Sequence, residues 1–143
     1  MFKKIVACLV IFISLSGCQA AILSPYDDVN SISNISMIID DINYESNQIT
    51  LSLVNETDYT FTYDSVYYVE IKKNNDWYTL NADQYFNALG CVLPPNCNIN
   101  LTIDLNNTLK PGDYRIIKAI SAEQHTYYLS SSFNIPYFLI KQP

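Results

Sequence analysis

Glycine is scarce in this chain, with three residues in 143, at Gly17, Gly90 and Gly112. That scarcity excludes the glycine-rich loops that cradle phosphate groups, and no G-x-S-x-G nucleophile turn is present. Histidine is scarcer still: His125 is the only one. A nucleophile-and-base site needs a positioned base, and a metal site needs three or four ligands. One imidazole in the polar stretch Glu123-Gln124-His125 reads as a solvated turn residue. Charge is sparse and mostly negative, fourteen acidic against eight basic residues for a net −6. An acidic chain is poorly suited to nucleic acid or to anionic lipid heads. Nothing here implies a metal or another cofactor, and the chain is expected not to be an enzyme.

One long uncharged run is present, Ile5 to Leu15, preceded by Lys3 and Lys4 and followed by Ser16-Gly17-Cys18. It is too short to span a hydrocarbon core of about 30 Å, which takes roughly 20 apolar residues in a helix. Its length and basic flank suit an export signal. The ending Leu15-Ser16-Gly17-Cys18 resembles the lipobox of bacterial lipoprotein signals. That resemblance implies a diacylglyceryl group on the Cys18 thiol and cleavage just before it. Residues 1–17 are then signal peptide, and the protein is exported and lipid-anchored to a bacterial membrane, its domain facing outside the cytoplasm. Removal of residues 1–17 leaves 126 residues, the size of one domain. It takes away Lys3 and Lys4 and no acidic group, so six basic residues face fourteen acidic ones, a net −8.

Two cysteines stay with the mature chain beside Cys18, namely Cys91 and Cys97. An extracytoplasmic setting permits a disulfide between them, across a Pro95-Asn96 turn. A bridge requires the segment to fold back so that the Cα atoms come within about 7 Å. The suspected pairing is Cys91–Cys97, with two free thiols as the alternative.

Residues 18–33 are polar and without clear period, and read as a lipidated tether that extends at most about 50 Å. Beyond them the chain alternates with period two. Seven strands are expected at Ile35–Asp40, Ile49–Val54, Thr60–Lys72, Trp77–Leu80, Ile99–Leu105, Asp113–Ser121 and Thr126–Ile135. In the long third one Phe61, Tyr63, Ser65, Tyr67, Val69 and Ile71 share a face by parity. Asn81 to Gly90 has room for one helical turn at most. Seven short strands on one domain indicate an all-β sandwich.

Leu109-Lys110-Pro111-Gly112-Asp113-Tyr114-Arg115 resembles the tyrosine corner of immunoglobulin-like and fibronectin-like sandwiches, in which a tyrosine hydroxyl bonds back to the chain just upstream. Tyr114 takes that structural role. Together with ITLSLVN from Ile49, the N-D-W-Y turn before Leu80, FNALGCVL from Phe86, PGDYRIIK from Pro111 and YYLSSSFNI from Tyr127, the chain resembles the bacterial Ig-like domains of small extracytoplasmic lipoproteins. The resemblance covers roughly Ile35 to Ile135. It implies an immunoglobulin-like β-sandwich of about seven antiparallel strands at 34–135, followed by an apolar tail at 136–143, and it lends no catalytic residue. Where such domains carry Pro-Gly after the strand ending at Leu93, this chain has Pro94-Pro95-Asn96.

Two surface features remain. Asp40-Asp41-Ile42-Asn43-Tyr44-Glu45 is oxygen-rich but lacks the length and central glycine of a calcium loop. The twelve tyrosines include the pairs Tyr67-Tyr68 and Tyr127-Tyr128, each placing one ring on either face of a strand. The outward rings suggest a contact surface, with ordinary β-propensity as the alternative. The functional expectation is a binding or interaction domain at the envelope, its partner an envelope or secreted protein. A second expectation is a proteinase inhibitor acting through its loops, on a resemblance to small Ig-like inhibitors around Phe86-Asn87-Ala88-Leu89-Gly90.

Overall fold

Alternation of apolar and polar residues builds this molecule strand by strand, and a computed structural model describes residues 21–80, 89–105 and 110–137 of it. The expected signal with Cys18, the stretch 81–88, Leu109 and the tail from Phe138 onward lie outside the described residues. Ten strands follow in order: β1 Ile22–Leu23, β2 Ile35–Asn43, β3 Gln48–Asn55, β4 Phe61–Tyr63, β5 Tyr68–Lys73, β6 Asp76–Thr79, β7 Cys91–Leu93, β8 Cys97–Asp104, β9 Gly112–Ala122 and β10 His125–Ile135. They form two antiparallel sheets packed as a sandwich. One runs β1-β6-β5-β9-β4-β7, with β10 on the other side of β9, and the second runs β2-β3-β8.

The interior is made by the inward parity of both sheets. Ile35, Met37, Ile49, Leu51, Leu53 and Ile103 face Phe61, Val69, Leu93, Ile116, Ile120 and Leu129 across it. Strand β2 runs three residues past its expected end because of a bulge between Ile39 and Asp41, which restores the inward parity at Ile42. Tyr67 Oη donates to Asp104 O at 2.5 Å, tying one sheet to the other. Tyr114, 1% exposed, donates from its hydroxyl to Lys110 O at 2.5 Å, four residues upstream.

The strand count differs from seven for two reasons. The expected Thr60–Lys72 strand is two strands, because β9 pairs with β5 through Tyr114–Ile117 and with β4 only at Ser121. Between them the chain leaves the ladder, and the buried Lys118 ammonium fills the gap, donating to Asp64 O at 2.6 Å and Val66 O at 3.0 Å. The parity of Phe61, Tyr67 and Val69 survives the break. Strands β1 and β7 are short edges that alternation over so few residues does not announce.

Two expectations are corrected. The Cys91–Cys97 bridge is not formed: both cysteines are free. Cys91 pairs with Tyr63 on β4, whereas Cys97 pairs with Asn55 on β3 in the other sheet. The turn between them carries the chain from sheet to sheet rather than back on itself. The tether reading of 18–33 also fails from Ala21 onward, because the segment is docked on the seven-stranded sheet, as described below.

Asparagine does the work that scarce glycine usually does. Asn30, Asn34, Asn47, Asn74, Asn75 and Asn96 all have positive φ, a region asparagine tolerates through local side-chain hydrogen bonding. Asn96 (φ 51°) lies in the turn between β7 and β8. Asn74 (φ 51°) and Asn75 (φ 69°) are the two-residue loop joining β5 to β6 across the Lys73–Asp76 pair. Positive φ at both centres is what a type I′ hairpin requires. Asn75→Ala is expected to lower stability by about 1 kcal/mol, and Asn75→Gly to leave it unchanged or higher. The check is the urea midpoint of each variant, and equal midpoints for alanine and glycine would refute the account.

Candidate functional site

Strand β9 reads Tyr114-Arg115-Ile116-Ile117-Lys118, and all five residues are buried. A strand facing water on one side alternates, so five in a row means that both faces are covered. The inner face has the sandwich core. Residues 21–30 cover the outer one.

This strap begins at the sheet edge, where Ile22 and Leu23 pair with Thr79 and Tyr78 of β6. Ser24 N then donates to Trp77 O at 2.9 Å. From there the chain crosses to β10. Asn30 closes the crossing by imitating a strand residue: its N and Nδ2 donate to Tyr128 O and Ser130 O at 2.8 and 3.1 Å, while its Oδ1 accepts from Ser130 N at 2.9 Å. Those bonds occupy backbone groups of an edge strand that would otherwise be open to pairing.

Beneath the strap lies a buried ion pair. Arg115 Nε donates to Glu70 Oε2 at 2.6 Å; Glu70 is 0% and Arg115 7% exposed. The other Glu70 oxygen accepts from Thr79 Oγ1 at 3.0 Å. Arg115 Nη2 donates upward into the strap, to Tyr26 O at 3.0 Å and Ser24 Oγ at 3.3 Å. Trp77 lies alongside, its ring centre 4.5 Å from Arg115 Cζ and 5.7 Å from Lys72 Nζ, so two cations are within reach of one ring quadrupole.

The Tyr26 ring packs between Tyr68 and Tyr128, with centroids at 5.3 and 4.9 Å. These are the outward members of the two tyrosine pairs, whereas Tyr67 is in the core and Tyr127 packs against it. The expected tyrosine surface is therefore already occupied, by the protein's own strap. Burial first, then the hydrogen bond and charge of Tyr68, push the Tyr26 phenol well above its usual range. Burial also raises Tyr63, Tyr67 and Tyr114, and it lowers Lys118.

Between the strap and the β5–β6 hairpin opens a cleft of about 360 Å³, whose lining includes Leu23, Tyr26, Asp27, Asp76, Trp77 and Arg115. It offers an indole, a guanidinium already tied down on one side and two carboxylates. Such a site suits a small ligand or a peptide side chain with one flat apolar part and hydrogen-bonding groups. The residues singled out by sequence do not converge here. Cys91 is exposed on β7, Cys97 half-buried on β8, His125 exposed at the start of β10, and Tyr114 points into the core from the opposite face of β9. Asp40 accepts a bond from Ser52 at 2.6 Å, and Asn43 Oδ1 accepts from two backbone amides of its own turn. Cys18 lies outside the described residues. Among the described residues, no group of three or more His, Cys, Asp and Glu side chains is placed to hold a metal ion. Glu70, Arg115, Tyr26 and Asn30 escaped the sequence reading. The available signal was a pair of charges, Glu70 in YVEI and Arg115 in YRII, set among strand residues.

Removing one partner of a buried pair strands the other. Glu70→Ala is expected to cost about 3–5 kcal/mol and to make the strap cleavable by added protease. Glu70→Leu with Arg115→Met should cost less than Glu70→Ala alone, and urea melts of the three proteins test this ordering. Stability also depends on alkaline pH. Unfolded tyrosine ionises near 10, whereas the folded phenols, being raised, hold their protons beyond it. The unfolded chain releases protons first, so the stability present below about pH 10 is lost as pH rises toward the folded values. Lys118, lowered by burial, gives the opposite slope only below its usual value of about 10.4. The urea midpoint should thus fall above that pH, and less steeply in Tyr26→Phe; an equal fall in both proteins would remove Tyr26 from the explanation.

A family model described as bacterial Ig-like domain matches residues 31–134. No curated protein and no solved structure gives a match. The family match spans most of the chain and coincides with the sandwich described above, from just after the strap to the last residues of β10; this chain belongs to the bacterial Ig-like domain family.

Proposed function

We propose that this chain is an exported lipoprotein, cleaved before Cys18 and held to a bacterial membrane by lipid on that cysteine, and that its Ig-like domain binds a partner at the envelope rather than catalysing a reaction. The observation that carries the binding role is the cleft between strap and hairpin, because it sets Trp77, Arg115, Asp27 and Asp76 around one opening on a scaffold of paired strands. Sites on rigid elements lose less entropy on binding than sites on free loops. Support for the anchor comes from Leu15-Ser16-Gly17-Cys18 behind an uncharged run. Two acyl chains at about 0.8 kcal/mol per buried methylene hold a protein firmly. The partner is an envelope or secreted protein that presents a side chain to the cleft. A loop-wedging inhibitor has less support, because Cys91 and Cys97 are free and no bridge between them pins a rigid loop.

Labelled palmitate should enter the wild-type protein and not Cys18→Ala, which should leave the membrane fraction; label retained by Cys18→Ala refutes the anchor. For the cleft, crosslinking with wild type and with Asp76→Asn plus Trp77→Phe should lose the same partner from the variant. Identical partners on both proteins would move the binding surface elsewhere.

A further inference from the structure

The docked strap changes what an anchor at Cys18 does to the domain. Ile22 and Leu23 form the outermost strand on the β6 side of the seven-stranded sheet, and they are 51% and 61% exposed. An apolar edge open to water is an arrangement that proteins ordinarily cover or charge. Cys18 precedes Ile22 by four residues. At about 3.3 Å per residue, that length of chain reaches at most roughly 13 Å whatever its conformation. The headgroup layer takes up about 5–7 Å of each leaflet, and an acylated cysteine starts within it. Strand β1 then begins no more than about 8 Å above the lipid surface, less than the roughly 10 Å between packed sheets.

The strap supplies no further slack. Ser24 N is bonded to Trp77 O, and Ser24 Oγ and Tyr26 O accept from the buried Arg115. Lengthening the linker beyond Ala21 would require breaking those bonds and parting the Tyr26–Tyr68–Tyr128 cluster.

Resting on the lipid anchor proposed above, we infer that the β1 edge, with Ile22 and Leu23, is seated on the bilayer that holds the anchor. The domain does not sway on a stalk. It stands with β1 down and β10, which pairs with β9 on the side opposite β5 and β4, directed away from the lipid. The short connection holds β1 at a high local concentration beside the surface, so a weak apolar contact is enough to keep it there. Charge does not drive the seating, since the mature chain is acidic and Asp27 and Asp76 stand just behind β1 in the cleft. Added salt therefore does not release the contact; it only screens those carboxylates from anionic headgroups.

Trp77, the only tryptophan, is bonded to the residue after Leu23 and reports on this edge. The full lipidated protein is placed in phosphatidylethanolamine–phosphatidylglycerol vesicles, with and without a nitroxide on a fraction of the headgroups. The acyl mass on its amino-terminal peptide is verified first. The expected result is loss of most Trp77 emission in nitroxide vesicles, not relieved at about 0.5 M salt. Emission should return when a Gly-Ser linker of about ten residues is inserted after Gln19, and also in Ile22→Asp with Leu23→Asp. The linker leaves every described residue in place, so its emission is read on an intact fold, with the urea midpoint as the check. An acylated wild-type protein as bright as the linker protein overturns the seating and leaves the anchor standing. An amino-terminal peptide without acyl mass overturns the anchor, and the seating with it.

Discussion

The ion pair between Glu70 and Arg115 is the contact on which the outer half of the molecule depends. Two charges taken out of water are costly to bury, and here each is compensated by a further partner. Glu70 receives Thr79 from the neighbouring strand, and Arg115 gives its remaining bonds to Ser24 and Tyr26. The guanidinium thus joins the sheet below to the chain above. Without the strap, Arg115 would lie in water on an open sheet face and Ile117, fully buried and outside the sandwich core, would lose its cover. Without Arg115, the strap would keep only its edge pairings and one tyrosine cluster. Sheet and strap depend on each other through this residue.

The inner half uses different means for the same end. Tyr67 and Tyr114 each bury a ring and satisfy the hydroxyl on a backbone carbonyl, one across the sandwich and one four residues back. Lys118 fills the place where the third strand divides, its ammonium taking two carbonyls that the ladder leaves unpaired. Each is a buried polar group whose partner is a backbone carbonyl at a strand end or in irregular chain, and this is how a small sandwich tolerates irregular chain next to its core. Asparagine at the positive-φ positions completes the set, letting tight turns form in a chain almost free of glycine.

In the lipid-anchored reading, the strap also determines geometry. The cleft and β1 share Leu23 and adjoin at Ser24, so the opening that would take a partner faces the zone just above the membrane instead of the far end of a stalk. A partner reaching it would be a neighbour in the same envelope, or a segment threaded along the surface.

What the sequence determined by itself was the set of local patterns. Parity of two marked the alternating residues of β3 and β8 and the common face of Phe61, Tyr67 and Val69, because the pleat of a strand needs no knowledge of its neighbours. The Pro111-Gly112-Asp113-Tyr114 segment likewise carries its hydroxyl acceptor four residues away. What only the tertiary structure decided was everything that needs a second layer or a second sheet. Cys91 and Cys97, six positions apart, sit on different sheets because their turn crosses the sandwich. Thr60–Lys72 divides because β9 offers it two separate partners. Residues 21–30, polar and aperiodic, look like a free linker because their bonds go to residues roughly 50 to 100 positions downstream. Arg115 and Glu70 occupy the parity that ordinarily faces water, and nothing local reveals that ten residues from the amino-terminal side will cover them. Burial of a charge is settled by what the rest of the chain places above it, and one strand's pattern records only the side on which that charge stands.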